Sequence, residues 1–240
     1  MTRLDDPELV AREYADDARL RKRASAYTGV ATGIDARETA MAAIRELAPG
    51  RVLEVGCGWG ELAEWIERDT GADVVAVDLS PRMVELARER GVEARVADAQ
   101  ELPFADGEFD LVVAAWMLYH VPDIDLALTE IARVLRPGGQ LVAITNSSTH
   151  LLELRELVGS GPSTLSFSRE SGESYLRGRF GNIRREDVDG QLTFADRATV
   201  ESYVRASIAM SPFVDNLPGQ VEEPFVARRA NSIFVAVKGA

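Results

Sequence analysis

The stretch from Arg51 to Gly60, RVLEVGCGWG, places Gly56, Gly58 and Gly60 at alternate positions directly after an apolar run. Arg51 to Val55 reads as a buried strand, and Leu62, Trp65 and Ile66 then recur at helical spacing. A glycine-rich turn that leaves a strand and opens a helix most often serves a nucleotide-like ligand.

The same alternation continues down the chain. Asp73 to Asp78 is a second strand, followed by Ser80-Pro81 as helix cap and first-turn proline and by Gly91 as a stop. Val92 to Ala97 and Phe109 to Ala115 are the third and fourth strands. A helix capped by Asp123 is ended by Pro137-Gly138-Gly139, and Gln140 to Thr145 is a fifth strand. Strand and helix in this order imply right-handed crossovers and a parallel sheet covered on both faces, with ligands beyond the carboxyl ends of the strands. That rule puts a site at Gly56, Asp78, Asp98 and Trp116. Further along, a helix is expected around Glu170 to Arg179 and another over Asp196 to Ala209, with strands at Asn182 to Val188 and Asn231 to Val237. No internal repeat is present.

A chain of 240 residues, 46% hydrophobic and 28% charged, has the composition of one globular domain with appended segments. The formal net charge of −12 would repel a phosphate backbone, so no nucleic-acid partner is expected. The basic run Arg19 to Arg23 is nearly cancelled by Glu13, Asp16 and Asp17 and reads as a solvated helix face. The N-terminus is acidic without an apolar core, and the most apolar run, Leu111 to Val121, is too short to span a bilayer. Cys57 is the single cysteine. A cytoplasmic location without a membrane partner is the expectation; no feature of the sequence sets an oligomeric state, and no metal set is expected.

The dinucleotide fingerprint G-x-G-x-x-G fails, because the third glycine would fall at Glu61, a carboxylate at the helix end where a pyrophosphate would sit. The spacing E-x-G-x-G-x-G from Glu54 to Gly60 instead resembles motif I of the class I S-adenosylmethionine-dependent methyltransferases. Asp78 at the second strand end, Asp98-Ala99 at the third, Phe109-Asp110-Leu111-Val112 and Leu135-Arg136-Pro137-Gly138-Gly139 follow in that family's order. Leu102-Pro103-Phe104 and Tyr119-His120-Val121-Pro122-Asp123 resemble its type 11 branch, which acts largely on small molecules.

The resemblance implies a doubly wound, mostly parallel seven-stranded α/β sheet, the Rossmann-like methyltransferase fold. The division implied is an N-terminal helical cap (1–45), a cofactor-binding core (51–146), a variable substrate-side insertion after strand 5 (147–181) and C-terminal strands and helix (182–240). It implies S-adenosyl-L-methionine as cofactor, held by Glu54, Gly56, Cys57, Gly58, Gly60, Asp78, Leu79, Asp98, Ala99, Ala115 and Trp116. Asp78 would take the ribose hydroxyls, Leu79 one adenine face, Asp98 the adenine amino group and Glu54 the cofactor's own amino group. Isolated strand-end carboxylates also serve as helix caps, and Cys57 reads as a small loop residue rather than a nucleophile.

The implied reaction is methyl transfer to a small-molecule acceptor by in-line displacement. His120, one of two histidines, is the candidate base if the acceptor must lose a proton; packing under the loop is the other account. Trp116, Tyr119, Tyr14 and Tyr27 are candidates for the acceptor pocket, together with Phe167 to Tyr175. An NAD(P)-dependent oxidoreductase on the same fold and a non-catalytic S-adenosylmethionine-binding protein are the competing readings.

Overall fold

The computed structural model describes residues 4–14, 17–25 and 31–239. Its helices are α1 (Pro7–Glu13), α2 (Ala18–Ser25), α3 (Ala36–Leu47), α4 (Glu61–Thr70), α5 (Pro81–Glu89), α6 (Ile124–Val134), α7 (Leu152–Leu157), α8 (Gly172–Leu176) and α9 (Arg197–Ala206). Its strands are β1 (Ala31–Thr32), β2 (Arg51–Val55), β3 (Asp73–Asp78), β4 (Glu93–Val96), β5 (Phe109–Ala115), β6 (Leu135–Asn146), β7 (Phe180–Phe194) and β8 (Phe225–Lys238).

One sheet runs in the order β1-β7-β8-β6-β5-β2-β3-β4. β2 to β6 are mutually parallel, whereas β8 pairs antiparallel with β6 and β7 antiparallel with β8. This is the mostly parallel, doubly wound sheet expected, with the two-residue β1 added at an edge. Adjacent residues of β2 enter opposite cores: Val52 joins α3 and α4 through Met41, Ile44 and Ile66, and Leu53 joins α6 through Leu128 and Ile131. Burial on both faces explains why β2 reads as a continuous apolar run. Chain order reverses between β2 and β5, each on one side of the switch point.

Several boundaries differ from expectation. Helix α6 stops at Val134, and Leu135 to Gly139 belongs to β6, where the pairing with β5 shifts register. The two C-terminal strands are far longer than their apolar cores suggested. β6 ends opposite Asn231, so Phe225 to Ala230 and the facing part of β7 project beyond the carboxyl edge of the parallel strands. A third cluster packs on this projection, formed by Leu154 and Val158 of the α7 region, Val200 and Val204 of α9, and Phe194 and Leu192. It builds a wall beside the edge where ligands bind in such sheets.

The Asp of the Phe109-Asp110 motif works at the opposite edge. Its Oδ2 accepts from Gly50 N and Arg51 N at 2.8 Å each, and Oδ1 accepts from Arg136. It thereby ties the start of β2 to the turn before Gln140, and these donors hold its carboxyl below the usual range, although burial opposes them. Asp110→Ala is expected to destabilise the chain by about 2 kcal/mol, two hydrogen bonds to a charged acceptor being lost at a half-exposed place. Urea unfolding at neutral pH checks this.

Candidate functional site

β2, β3 and β5 end level with one another, because Val55 pairs with Val77 and with Ala114. The glycine loop starts there, Gly56 N and Cys57 N donating to Val77 O at 2.8 and 3.0 Å. All three glycines have positive φ, at 72°, 53° and 79°. Two of them have a reason inside the chain. A Cβ on Gly56 would come within 2.6 Å of Met117 Cβ, and one on Gly60 within 2.8 Å of Ala87 Cβ, where α4 crosses α5. Only Gly58 faces open space, with Leu20 Cδ2 nearest at 3.9 Å. Of the three, Gly58 is the one whose open face leaves room for a ligand.

Asp78 closes the loop from β3: its Oδ2 accepts from Gly58 N and its Oδ1 from Ser80 N, both at 2.9 Å. Glu54 points from β2 into the same region, 2% exposed, with Oε2 lacking a hydrogen-bond partner among the described residues. Burial, then the charge of Asp78, pushes the Glu54 carboxyl well above its ordinary range, while a backbone N–H from Ala63 acts the other way. Burial likewise raises Asp78 against its backbone donors. Two buried carboxylates sharing one corner are costly without a cationic or donor-rich partner. Cys57 lies buried between them, its thiol pushed up by burial and by both charges, which leaves it inert as a nucleophile.

Leu79, next to Asp78, is 53% exposed. Asp98 is engaged by Gln100, whose N donates to Oδ1 at 2.8 Å and whose Nε2 lies 3.1 Å from both oxygens. Ala99 is buried beside it. Ala115 ends β5, and Trp116 follows at φ 52° with its N–H donating to Ile144 O. A bulky residue held in the left-handed region costs energy and is found mostly where surrounding structure needs it, at ligand sites above all. Glu61 heads α4 but turns aside to Trp59 Nε1 and Arg37, so its charge is partly answered. The sequence argument against a pyrophosphate is weaker than its position alone suggested. Among the described residues no group of three or more His, Cys, Asp or Glu is placed to hold a metal ion.

The N-terminal segment roofs this corner. Ser80 Oγ donates to Tyr14 O at 2.7 Å and accepts from Met83 N, so the residue that caps α5 also fastens α1 beside Asp78. Arg21 stacks on Trp59 in the loop, and Arg23 Nη1 donates to Ala206 O at the end of α9. His120 is fastened at both nitrogens. Leu4 O accepts at 2.8 Å, which puts the proton on Nδ1 and leaves Nε2 to accept from the Tyr14 hydroxyl at 3.1 Å. Burial lowers its pKa to about 4, against the Leu4 hydrogen bond. Tyr119 is buried against His120 at 4.6 Å between ring centroids, and its hydroxyl is raised by burial.

The structure thus brings Tyr14, Tyr119 and His120 together, while Tyr27 lies outside the described residues. Phe167 is fully buried against Phe234 and Tyr175, in the core rather than at the edge. His150 does not cap α7, which begins after Leu151; its Nδ1 instead meets the backbone of Ala230. Ser80, Met117 and Arg23 carry site geometry that residue type alone did not signal.

At the switch point of this mostly parallel open sheet a glycine turn, Asp78 and the buried Glu54 come together, at the edge where such sheets hold their ligands. Residues 53–143 match the family model described as Methyltransferase domain, type 11. Methyltransferase GfsG of Streptomyces halstedii is 48% identical over 99 residues, covering 38% of this chain and 36% of the relative. Demethylmenaquinone methyltransferase of Thermus thermophilus is 45% identical over 106 residues, 41% of this chain and 48% of the relative. The chain spans about half or less of the length of these curated relatives. The crystal structure of the [4+2]-cyclase SpnF superposes with a TM-score of 0.61 at 22% identity, covering 96% of this chain and 95% of that one. That likeness concerns the fold alone. Among the described residues no helix is long and apolar enough to cross a membrane.

Proposed function

We propose that the chain transfers a methyl group from S-adenosyl-L-methionine to a small-molecule acceptor. The observation that carries this is the orphaned, buried Glu54 Oε2 beside Asp78, in a segment that matches the methyltransferase family model. The residues fit the cofactor: Glu54 offers its free oxygen to an ammonium, Asp78 retains lone pairs for a diol, Gly58 leaves its face open, and exposed Leu79 supplies an apolar cover. Gly56, Cys57 and Gly60 belong to the loop that closes on β3, and Asp98, Ala99, Ala115 and Trp116 lie at or just past neighbouring strand ends, where the cofactor's remaining contacts are assigned in this reading. When bound, the cofactor supplies a methyl carbon already activated by a sulfonium. What remains for the protein is to align the attacking atom, exclude water and take up a proton where one is released.

Exclusion of water falls to the N-terminal segment. Proton uptake falls to Tyr14 and His120 acting as a pair. The Nε2 lone pair meets the Tyr14 hydroxyl, so a proton from the acceptor passes to Tyr14 Oη as the tyrosine proton moves to Nε2. An imidazole depressed to about 4 is a weak terminal base, which limits this relay to acceptors that are themselves acidic, such as phenols. Tyr14→Phe is expected to lower kcat about tenfold or more with such an acceptor and to leave cofactor affinity within about twofold. Steady-state kinetics alongside calorimetry checks both.

The activity is tested by incubating the chain with a metabolite extract and methyl-labelled S-adenosylmethionine, and identifying the labelled product by mass. A labelled small molecule is expected. Cofactor binding without any labelled product would leave a cofactor-binding protein that does not transfer methyl groups, since fold and cofactor site do not by themselves guarantee the chemistry.

A further inference from the structure

Arg155 of α7 is 8% exposed, yet no carboxylate pairs with its guanidinium and no acceptor hydrogen-bonds it among the described residues. Burial lowers its pKa against the Tyr203 hydroxyl, and the other titratable side chain that feels its charge is His150. Most arginines of this chain end on a carboxylate or a carbonyl, as Arg133 does with Glu130, Asp106 and two backbone oxygens. Its guanidinium nitrogens keep some contact with water, yet a cation this enclosed and without an anion is costly, and a ligand acid would complete the pair.

Arg155 lines a cavity of about 30 Å³ together with Leu4, Ser160, Ser163, Thr164 and Phe213. No acidic side chain lines it. That volume holds about two waters, or the two oxygens of one acid group, and not a whole acceptor molecule. Its place is informative. Leu4, which forms one wall, is the residue whose carbonyl holds His120 Nδ1, so the cavity adjoins the Tyr14-His120 pair under the same N-terminal roof.

We infer that the acceptor carries an anionic oxygen group, a carboxylate or a phosphate, and that Arg155 binds it through the fork of its guanidinium. Ser160, Ser163 and Thr164 line the same cavity, the Ser160 hydroxyl donating to Arg155 O. This deepens the methyl-transfer reading and rests on it for the word acceptor, whereas the anion site itself stands on Arg155 alone. Arginine matches the two oxygens of either group bidentately, and its low hydration cost suits a buried place better than lysine would.

The test follows thermal melting of the full chain, as wild type, Arg155→Lys and Arg155→Met, with benzoate, phenyl phosphate or the neutral isostere benzamide added. Benzoate or phenyl phosphate is expected to raise the wild-type midpoint in a concentration-dependent way, and benzamide is not. The responding acid distinguishes carboxylate from phosphate. Arg155→Met is expected to weaken that response about tenfold or more, and Arg155→Lys to retain part of it. Without ligand the Met variant should melt at or above wild type, since it removes an unpaired buried charge; should it fail to fold, the Lys variant decides. Equal responses in wild type and variants, or no response to either acid, overturn the proposal. Titration of the same proteins with S-adenosylhomocysteine separates the two readings: loss of that binding in wild type defeats methyl transfer and leaves the anion result standing.

Discussion

Asp78→Ala is expected to weaken S-adenosylhomocysteine binding at least about 100-fold, the loss of two charge-assisted hydrogen bonds to a diol. The same carboxylate accepts from Gly58 N and Ser80 N, so its removal also frees the one glycine whose face is open and the serine that fastens Tyr14. Folding should survive. A carboxylate raised by burial contributes little to stability on its own account, and α5 keeps its Ser80 cap. Calorimetry and circular dichroism on one preparation check the two parts. A variant that keeps its affinity would remove Asp78 from the site.

The second large effect concerns acid. His120 and His150 are both half-buried and neutral, each with a pKa lowered to about 4, by desolvation first. The Nδ1 of His150 lies 3.1 Å from Ala230 N and 3.3 Å from Ala230 O, so the carbonyl opposes the lowering that burial causes. In the unfolded chain each histidine titrates near about 6.5. Between that value and about 4 the unfolded state therefore binds more protons than the folded one, and stability is lost as pH falls through this window. From pH 7 to pH 5 each histidine should cost about 2 kcal/mol as an upper bound. Glu54 and Asp78, whose carboxyls are raised, act in the opposite direction, so the comparison has to be between variants. His150→Gln is expected to flatten the fall in urea-unfolding free energy by that amount, and His120→Gln likewise. Parallel slopes in wild type and variants would show that neither group is held neutral by the fold.

The parts of the molecule that could be read from the sequence are those where local chemistry and burial agree. Val52 to Val55 and Val74 to Val77 are apolar because both faces of the sheet are covered, and Ser80-Pro81 caps α5 as its residue types require. β7 shows the opposite case. Residues such as Arg184, Arg185, Glu186 and Asp187 lie exposed on a strand near the sheet edge, held by pairing with β8 and by ion pairs, so no apolar period announces it. The site divides the same way. Asp78 and Glu54 stood out as carboxylates at or within apolar strands, whereas Ser80, Met117 and Arg155 acquire meaning only through contacts far along the chain. The packing of Gly56 against Met117 and of Gly60 against Ala87 leaves no trace in the local sequence.

The central claim is that the corner between β2, β3 and β5 binds a nucleoside sulfonium cofactor. Calorimetric titration of the full chain with S-adenosylmethionine, S-adenosylhomocysteine and NADH tests it most directly. The account predicts one site per chain, saturable by the first two and lost in Glu54→Ala and Asp78→Ala, with no heat from NADH. Binding of NADH in place of the sulfonium compounds, or heat from none of the three, would contradict it.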